Sequence, residues 1–197
     1  AHDHIAVEKA GVFQQQLGST LEVVAKDVKL QVEWSDKLVK RYRLVGYENR
    51  DVADTDFRND AVDAGEIGAG HQVTAIYEIG LASGALTADL SPSDLATVRV
   101  RHKAPKGTDA AEAAFDFPAD GLAASFAAAS ADLRFAFAVA AFAEILRGSE
   151  DAEHWDLAAV RQIASDAAGA DPDRAELVAM IDQAIALKGG PKTAMAR

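Results

Sequence analysis

The hydrophobic pattern of this chain changes period once, and that change divides it. In VKLQVEW, Val28, Leu30, Val32 and Trp34 alternate with Lys29, Gln31 and Glu33. Seven residues of strict alternation predict a half-buried strand with its apolar side inward. The preceding TLEVVAK reads as a strand of its own or as the start of a bent one. Val39 to Glu48 reads as the next strand, with Tyr42 and Leu44 opposed to Arg41, Arg43 and Val45. His71 to Ile79 alternates again, and Leu95 to Lys103 sets Val98, Val100 and His102 against Arg99, Arg101 and Lys103. Glu112 to Phe117 fits a last, short strand.

Past Pro118 alanine dominates and the period becomes helical. Ser130 is placed to cap a helix over Ala131 to Arg147, closed by Gly148. Leu133, Phe135, Phe137, Phe142, Ile145 and Leu146 make that helix apolar nearly all round, so it is expected to lie packed between other elements. Two amphipathic helices follow, Trp155 to Ala167 and Asp173 to Leu187, the second with Asp171-Pro172 at its N-cap and first turn. The fold class is therefore α+β: an antiparallel β-sandwich of about five to seven strands, then a C-terminal bundle of about three helices. Residues 1–18 are expected to hold a short helix, Ala6 to Leu17, stopped at Gly18. The sandwich is assigned to 19–120, the helical segment to 121–188 and a loose tail to 189–197.

Charge restricts the partners. Twenty Lys and Arg stand against 31 Asp and Glu, a formal charge of -11. Such a field repels a phosphate backbone and an anionic membrane, so neither nucleic acid nor a lipid surface is expected as partner. The absence of cysteine excludes disulfides and thiolate-bound zinc. No apolar run reaches about 18 residues, so no membrane-spanning helix is expected. The first residues, AHDHIAVEKAG, lack a basic region followed by an apolar core, so no signal peptide is expected. A chain opening without methionine is expected to be processed or cut from something longer.

Catalytic signatures are missing: there is no H-E-x-x-H and no G-x-S-x-G, and a non-enzymatic role is expected. The acid-rich connection from Asp51 to Gly70 holds Asp54, Asp56, Asp60 and Asp63, the candidates for a bound divalent cation such as Ca²⁺. The EF-hand pattern fails, because twelve positions from Asp54 end at Gly65 rather than glutamate, and the sixth is Asn59 rather than glycine. Asp89, Ser91 and Ser93 fit D-x-S-x-S, a metal-ion adhesion pattern, but ASGALTA before them lacks the apolar strand that pattern needs, and they read as a turn. Gly65, Gly68 and Gly70 are spaced in the wrong order for a dinucleotide loop, and supply backbone freedom at the entry to a strand. His2 and His4 sit in the terminal stretch, and His71, His102 and His154 read as hydrogen-bonded or half-buried imidazoles. Lys37, Lys40, Arg41 and Arg43 form a local basic group, expected to pair with the acidic loop or with an acidic partner. Long ordered loops are disproportionately functional, so Asp56, Asp60, Asp63, Glu66 and His71, with Tyr47, Glu48, Asn49 and Arg50 at the loop's base, are the candidate contact surface. A plug for one end of the sandwich is the alternative role for the loop. Two other functions stay open: a cation-stabilised adhesion module, and a hydrolase built on two convergent carboxylates.

Four segments carry a family resemblance: KDVKLQVEW, YRLVGYENR, DTDFRNDAVDAGEIGAGHQVTAIYEI and DLRFAFAVAAFAEILRGS. They resemble the C-terminal region of bacterial von Willebrand factor type A domain proteins, the part that follows the A domain. The resemblance covers roughly residues 7 to 187. It implies that residues 1–18 are the last helix of the upstream domain or the linker out of it, and that the metal-ion site belongs to that upstream domain. It carries no catalytic or metal residue onto this chain. It further implies an exported or lipid-anchored parent, and a scaffold or protein-interaction module whose first partner is the upstream A domain.

Overall fold

The computed structural model describes residues 22–46, 52–62, 64–85 and 95–189. Among these residues six strands precede three α-helices: β1 (Val23–Trp34), β2 (Val39–Val45), β3 (Gly65–Gly68), β4 (Ile76–Leu81), β5 (Ala96–Lys103), β6 (Ala110–Phe117), then α1 (Ala131–Arg147), α2 (Leu157–Ala168) and α3 (Pro172–Gly189). This is the expected α+β order. β3, β1, β5 and β6 form one sheet, with every registered pair antiparallel, and β2 pairs with β4 in a second. Two compact units result. The first takes the described residues up to Arg41, from 52 to Val73 and from Gly80 to Gly121; the second takes 42–46, Thr74–Ile79 and 122–189.

From Val23 onward the two stretches TLEVVAK and VKLQVEW join through Asp27 in a single bent strand, β1, while Thr20 and Leu21 lie outside the described residues. Asp27 has φ 53, a left-handed conformation that aspartate tolerates better than most residues. Around it the register of β1 slips against both neighbours, between Ala25 and Val28 toward β3 and between Lys26 and Lys29 toward β5. An extra residue at that point bends the strand. β3 is an addition to the expected strands: the glycine-rich stretch pairs with β1 instead of serving only as an entry turn, although Gly70, at φ +76, does make the turn after it. The strand expected from His71 begins only at Ile76 and runs to Leu81, leaving 71–75 irregular. The expected helix at 6–17 and residues 190–197 lie outside the described residues, and Gly189 still belongs to α3.

The helical unit is capped as its residues require. Ser130 Oγ accepts from Leu133 N–H at 3.2 Å, Asp156 from Ala159 N–H at 3.1 Å, and Asp171 from the N–H groups of Asp173 and Arg174. Gly148, at φ 70, ends α1 by donating to Glu144 and Ile145 carbonyls. Its core is made of Ala138, Ala141 and Phe142 from α1, Leu157, Val160 and Ala164 from α2, and Ile181 from α3. Small alanines let the helices approach closely. α1 is therefore not buried all round: its alanine face is, while Leu133, Val139 and Leu146 are exposed.

Candidate interaction surface

Residues directly opposed across antiparallel strands share a face of the sheet. The register of β1, β5 and β6 thus sorts the first unit's sheet completely. One face carries the rows Leu30–Val100–Ala113, Val32–Val98–Phe115 and Trp34–Ala96–Phe117. The other carries Lys29–Arg101–Glu112, Gln31–Arg99–Ala114 and Glu33–Thr97–Asp116. Burial runs opposite to the expectation of an apolar face turned inward. Lys29 is only 3% exposed, whereas Leu30 beside it is 58% exposed, as is Phe115.

The reversal has a cause in the 52–62 segment, which covers the charged face. Its single 3-10 turn, Asp54–Asp56, leads into Phe57, which is buried. Its polar groups then meet the sheet one by one. Lys29 Nζ donates to the Asn59 carbonyl at 2.6 Å, and Gln31 Nε2 to Asp54 Oδ1 at 3.1 Å. Arg101 Nη2 reaches Asp60 at 2.8 Å, and Arg58 grips Glu112 with two hydrogen bonds of 3.0 and 2.7 Å. Within the sheet Arg99 grips Glu33 in the same two-pronged way, at 2.9 and 3.0 Å, and Lys103 lies 2.7 Å from Asp27. These forks match guanidinium to carboxylate geometry. The hydrogen bond from Arg99 holds the Glu33 carboxyl below its usual range; Arg58 does the same to Glu112, and Arg101 to Asp60. The hydrogen bond to Asp27 raises Lys103. Four acids of the sheet and loop thus meet bases of the same unit, and little of that charge is left for a partner.

Among the described residues no comparable cover lies over the Leu30 and Val32 rows of the opposite face, although Ala96 in its third row is buried. Phe117 is exposed along with Leu30 and Phe115, and Val32, Val98 and Val100 are half-exposed. It is a patch of apolar groups that runs from β1 across β5 to the edge strand β6, and its largest members are exposed.

The second unit holds a different kind of site. Glu144 of α1 is 2% exposed, yet accepts from Gly46 N–H at 3.2 Å and from Arg147 at 3.2 Å, with Arg43 at 3.4 Å. Gly46 has φ +114, which a side chain would strain. Arg43 also reaches Glu78 at 2.9 Å and lies over the Trp155 ring. Burial disfavours the charge on Arg43, but the hydrogen bond and attraction of Glu78 outweigh it and raise its pKa. Next to this node is a cavity of about 380 Å³, lined by Val45, Ile76, Glu78 and a run of edge-to-face aromatics, Phe126, Phe137 and Trp155.

The residues singled out from the sequence are spread over these features. Asp54 and Asp60 bond the sheet as above, and Asp56 accepts from the Asn59 side chain at 3.1 Å. Glu66 is exposed on β3, and exposed His71 donates its backbone N–H to the Gly68 carbonyl. His102 stands opposite Ala111 at the end of β5, and the His154 ring meets Trp155 at 5.8 Å. Among the described residues, no three His, Asp or Glu are placed to hold a metal ion. His2, His4, Tyr47, Glu48, Asn49, Arg50, Asp51, Asp63, Asp89, Ser91 and Ser93 lie outside them. Among the described residues, two members of the basic group turn away from the acidic loop: Arg43 pairs with Glu78, Glu144 and Asp151, and Lys40 with the Asp36 carbonyl. The loop's bases are Lys29, Arg101 and Lys103 instead. Their signal was present, since Arg99, Arg101 and Lys103 alternate along β5, but only pairing partners show which face a long-range loop will choose.

Residues 19–187 match the family described as "Uncharacterized protein YfbK, C-terminal". The chain is also similar to "Uncharacterized protein YfbK" of Escherichia coli (strain K12), 36% identical over 192 residues. That alignment takes in 90% of this chain and 32% of the relative, so the chain spans about a third of the relative's length. No solved structure matches.

Proposed function

The chain belongs to the family of YfbK C-terminal domains, and from that membership we propose that it is a non-enzymatic docking module that works inside a longer protein, against the remainder of that protein. The neighbour suggested by the sequence resemblance is a von Willebrand factor type A domain. One observation carries the reading: a chain spanning a third of its relative's length exposes an apolar sheet face built of Leu30, Val32, Val98, Val100, Phe115 and Phe117. Contiguous exposed apolar patches of more than a few hundred Å² mark interaction sites. The charged face supports the same assignment from the other side. Its carboxylates Glu33, Asp60 and Glu112 are held by arginines, whereas a hydrolase needs a carboxyl free to exchange a proton with substrate.

The test is reconstitution. The 197-residue chain and the remainder of the longer protein are produced separately and titrated by calorimetry. A one-to-one complex is expected, weakened at least about tenfold by Leu30→Asp, a loss of roughly 1.4 kcal/mol. No heat and no co-migration on a sizing column would refute the module reading.

A further inference from the structure

The two edges of the four-stranded sheet are unlike. β3 is four residues long, contains two glycines, and meets β1 through two register slips. Short, irregular edges of this kind resist pairing with further strands. β6 is the reverse. It runs eight residues, pairs with β5 in unbroken register from Ala110 to Phe117, and holds no lysine, no proline and no bulge. Seven of its eight residues are exposed, and among the described residues nothing pairs with its outer side. A long, flat, exposed edge is a template for a further strand, and a native protein normally covers it.

We propose that the outer edge of β6 takes an antiparallel strand donated by the part of the longer protein outside this chain. The proposal rests on the docking reading and names its geometry. Such a strand would extend the rows that end at Ala113, Phe115 and Phe117, so its residues on that side are apolar. On the other side Glu112 is already forked by Arg58, whereas Asp116 accepts from the neutral Thr97 hydroxyl at 3.0 Å, so the donor residue facing Asp116 is lysine or arginine, because opposite charges across strands stabilise and like charges oppose. The same argument disfavours a second copy of β6. Two β6 strands paired about Ala114 set Glu112 against Asp116 twice, and each copy adds a further formal charge of -11. The donor is sought in the remaining two-thirds because the chain spans only 32% of its relative.

In a strand, successive N–H groups point to opposite edges, so half of the β6 amides lack a partner in β5. Hydrogen–deuterium exchange is followed at residues 110–117 in the 197-residue chain and in the intact longer protein. The outward amides are expected to exchange freely in the first and about a hundredfold or more slowly in the second. Equal rates in both would overturn the proposal, and would leave the docking reading standing wherever Leu30→Asp still weakens the reconstituted complex. Loss of both signals would remove both. Proline at Ala113 and at Ala114 supplies a second readout: one substitution breaks a β5–β6 rung, the other only the outer edge. The variant that keeps the native circular dichroism spectrum is expected to lose the complex, and retained affinity there would overturn the strand. Asp116→Lys is expected to weaken the complex and flatten its salt dependence; unchanged affinity would overturn the basic character assigned to the donor.

Discussion

Lys29 is the residue that most changes the meaning of its strand. Its ammonium is buried and donates to the Asn59 carbonyl at 2.6 Å, with Asp27 at 3.7 Å. A buried cation is tolerated when it is hydrogen-bonded and close to an anion, and both conditions hold here. Replacing it with alanine removes a charge-assisted hydrogen bond and leaves Asn59 O and Asp27 facing a void. The expected loss is about 2 kcal/mol, read as a lower midpoint in urea unfolding. The 52–62 segment should open first, seen as faster proteolysis there. Lys29→Met keeps the packing and should lose less. Equal stability of all three proteins would show that Phe57 and the Arg58–Glu112 and Arg101–Asp60 pairs hold the loop without Lys29. Nothing in VKLQVEW announces this role, because alternation reports that two faces differ, not which of them a distant segment will cover.

At the scale of elements, local chemistry was legible and pairing was not. Ser130, Gly148, Asp171 and Pro172 could be assigned as helix ends from their residue types, and the hydrogen bonds at those positions agree. Such signals act within a few residues, so a sequence displays them directly. β3 is not legible in the sequence because glycines weaken a strand on their own, and Gly65–Gly68 is ordered through its pairing with β1. The buried face of α1 is hidden in the sequence for a related reason. Large apolar residues draw attention, but Ala138 and Ala141 are the positions that let α2 and α3 close in. The cap at Ser130 offers a clean check. Ser130→Ala removes the acceptor for Leu133 N–H and should destabilise the helical unit by about 1 kcal/mol, while Ser130→Asp should restore it. Thermal melts of the three proteins decide it, and an alanine variant melting with the wild type would mean water caps that end equally well.

On the scale of the whole molecule, acid should act through two opposed effects, and their signs differ. Protonating carboxylates takes the formal charge of -11 to zero near the isoelectric point of about 4.8, which relieves repulsion and favours the folded state down to that pH. The ion pairs of the sheet and of the helical unit act the other way. Arg99 holds Glu33, Arg101 holds Asp60, Arg58 holds Glu112 and Arg161 holds Asp182, each below the usual carboxylate range. In the unfolded chain these groups return to about 4. Between the two values the unfolded state binds more protons, so stability rises with pH there. Their contribution is complete above the unfolded value and is lost as pH falls through the lowered folded ones. Lys103 has the opposite sign: Asp27 raises it, so its contribution is complete below its unfolded value and lost as pH rises through the raised one. With four depressed carboxylates, pair loss should prevail at the acid end, and the melting temperature should drop below about pH 4. Glu112→Gln separates the two effects. Its forked partner Arg58 loses the charge it grips, so the variant should melt lower than wild type at pH 7 and lose less on acidification. Calorimetric melts between pH 2 and 7 read both slopes. Parallel curves for the two proteins, or a wild-type melting temperature that holds level below about pH 4, would mean that the arginine forks only decorate the surface of this fold.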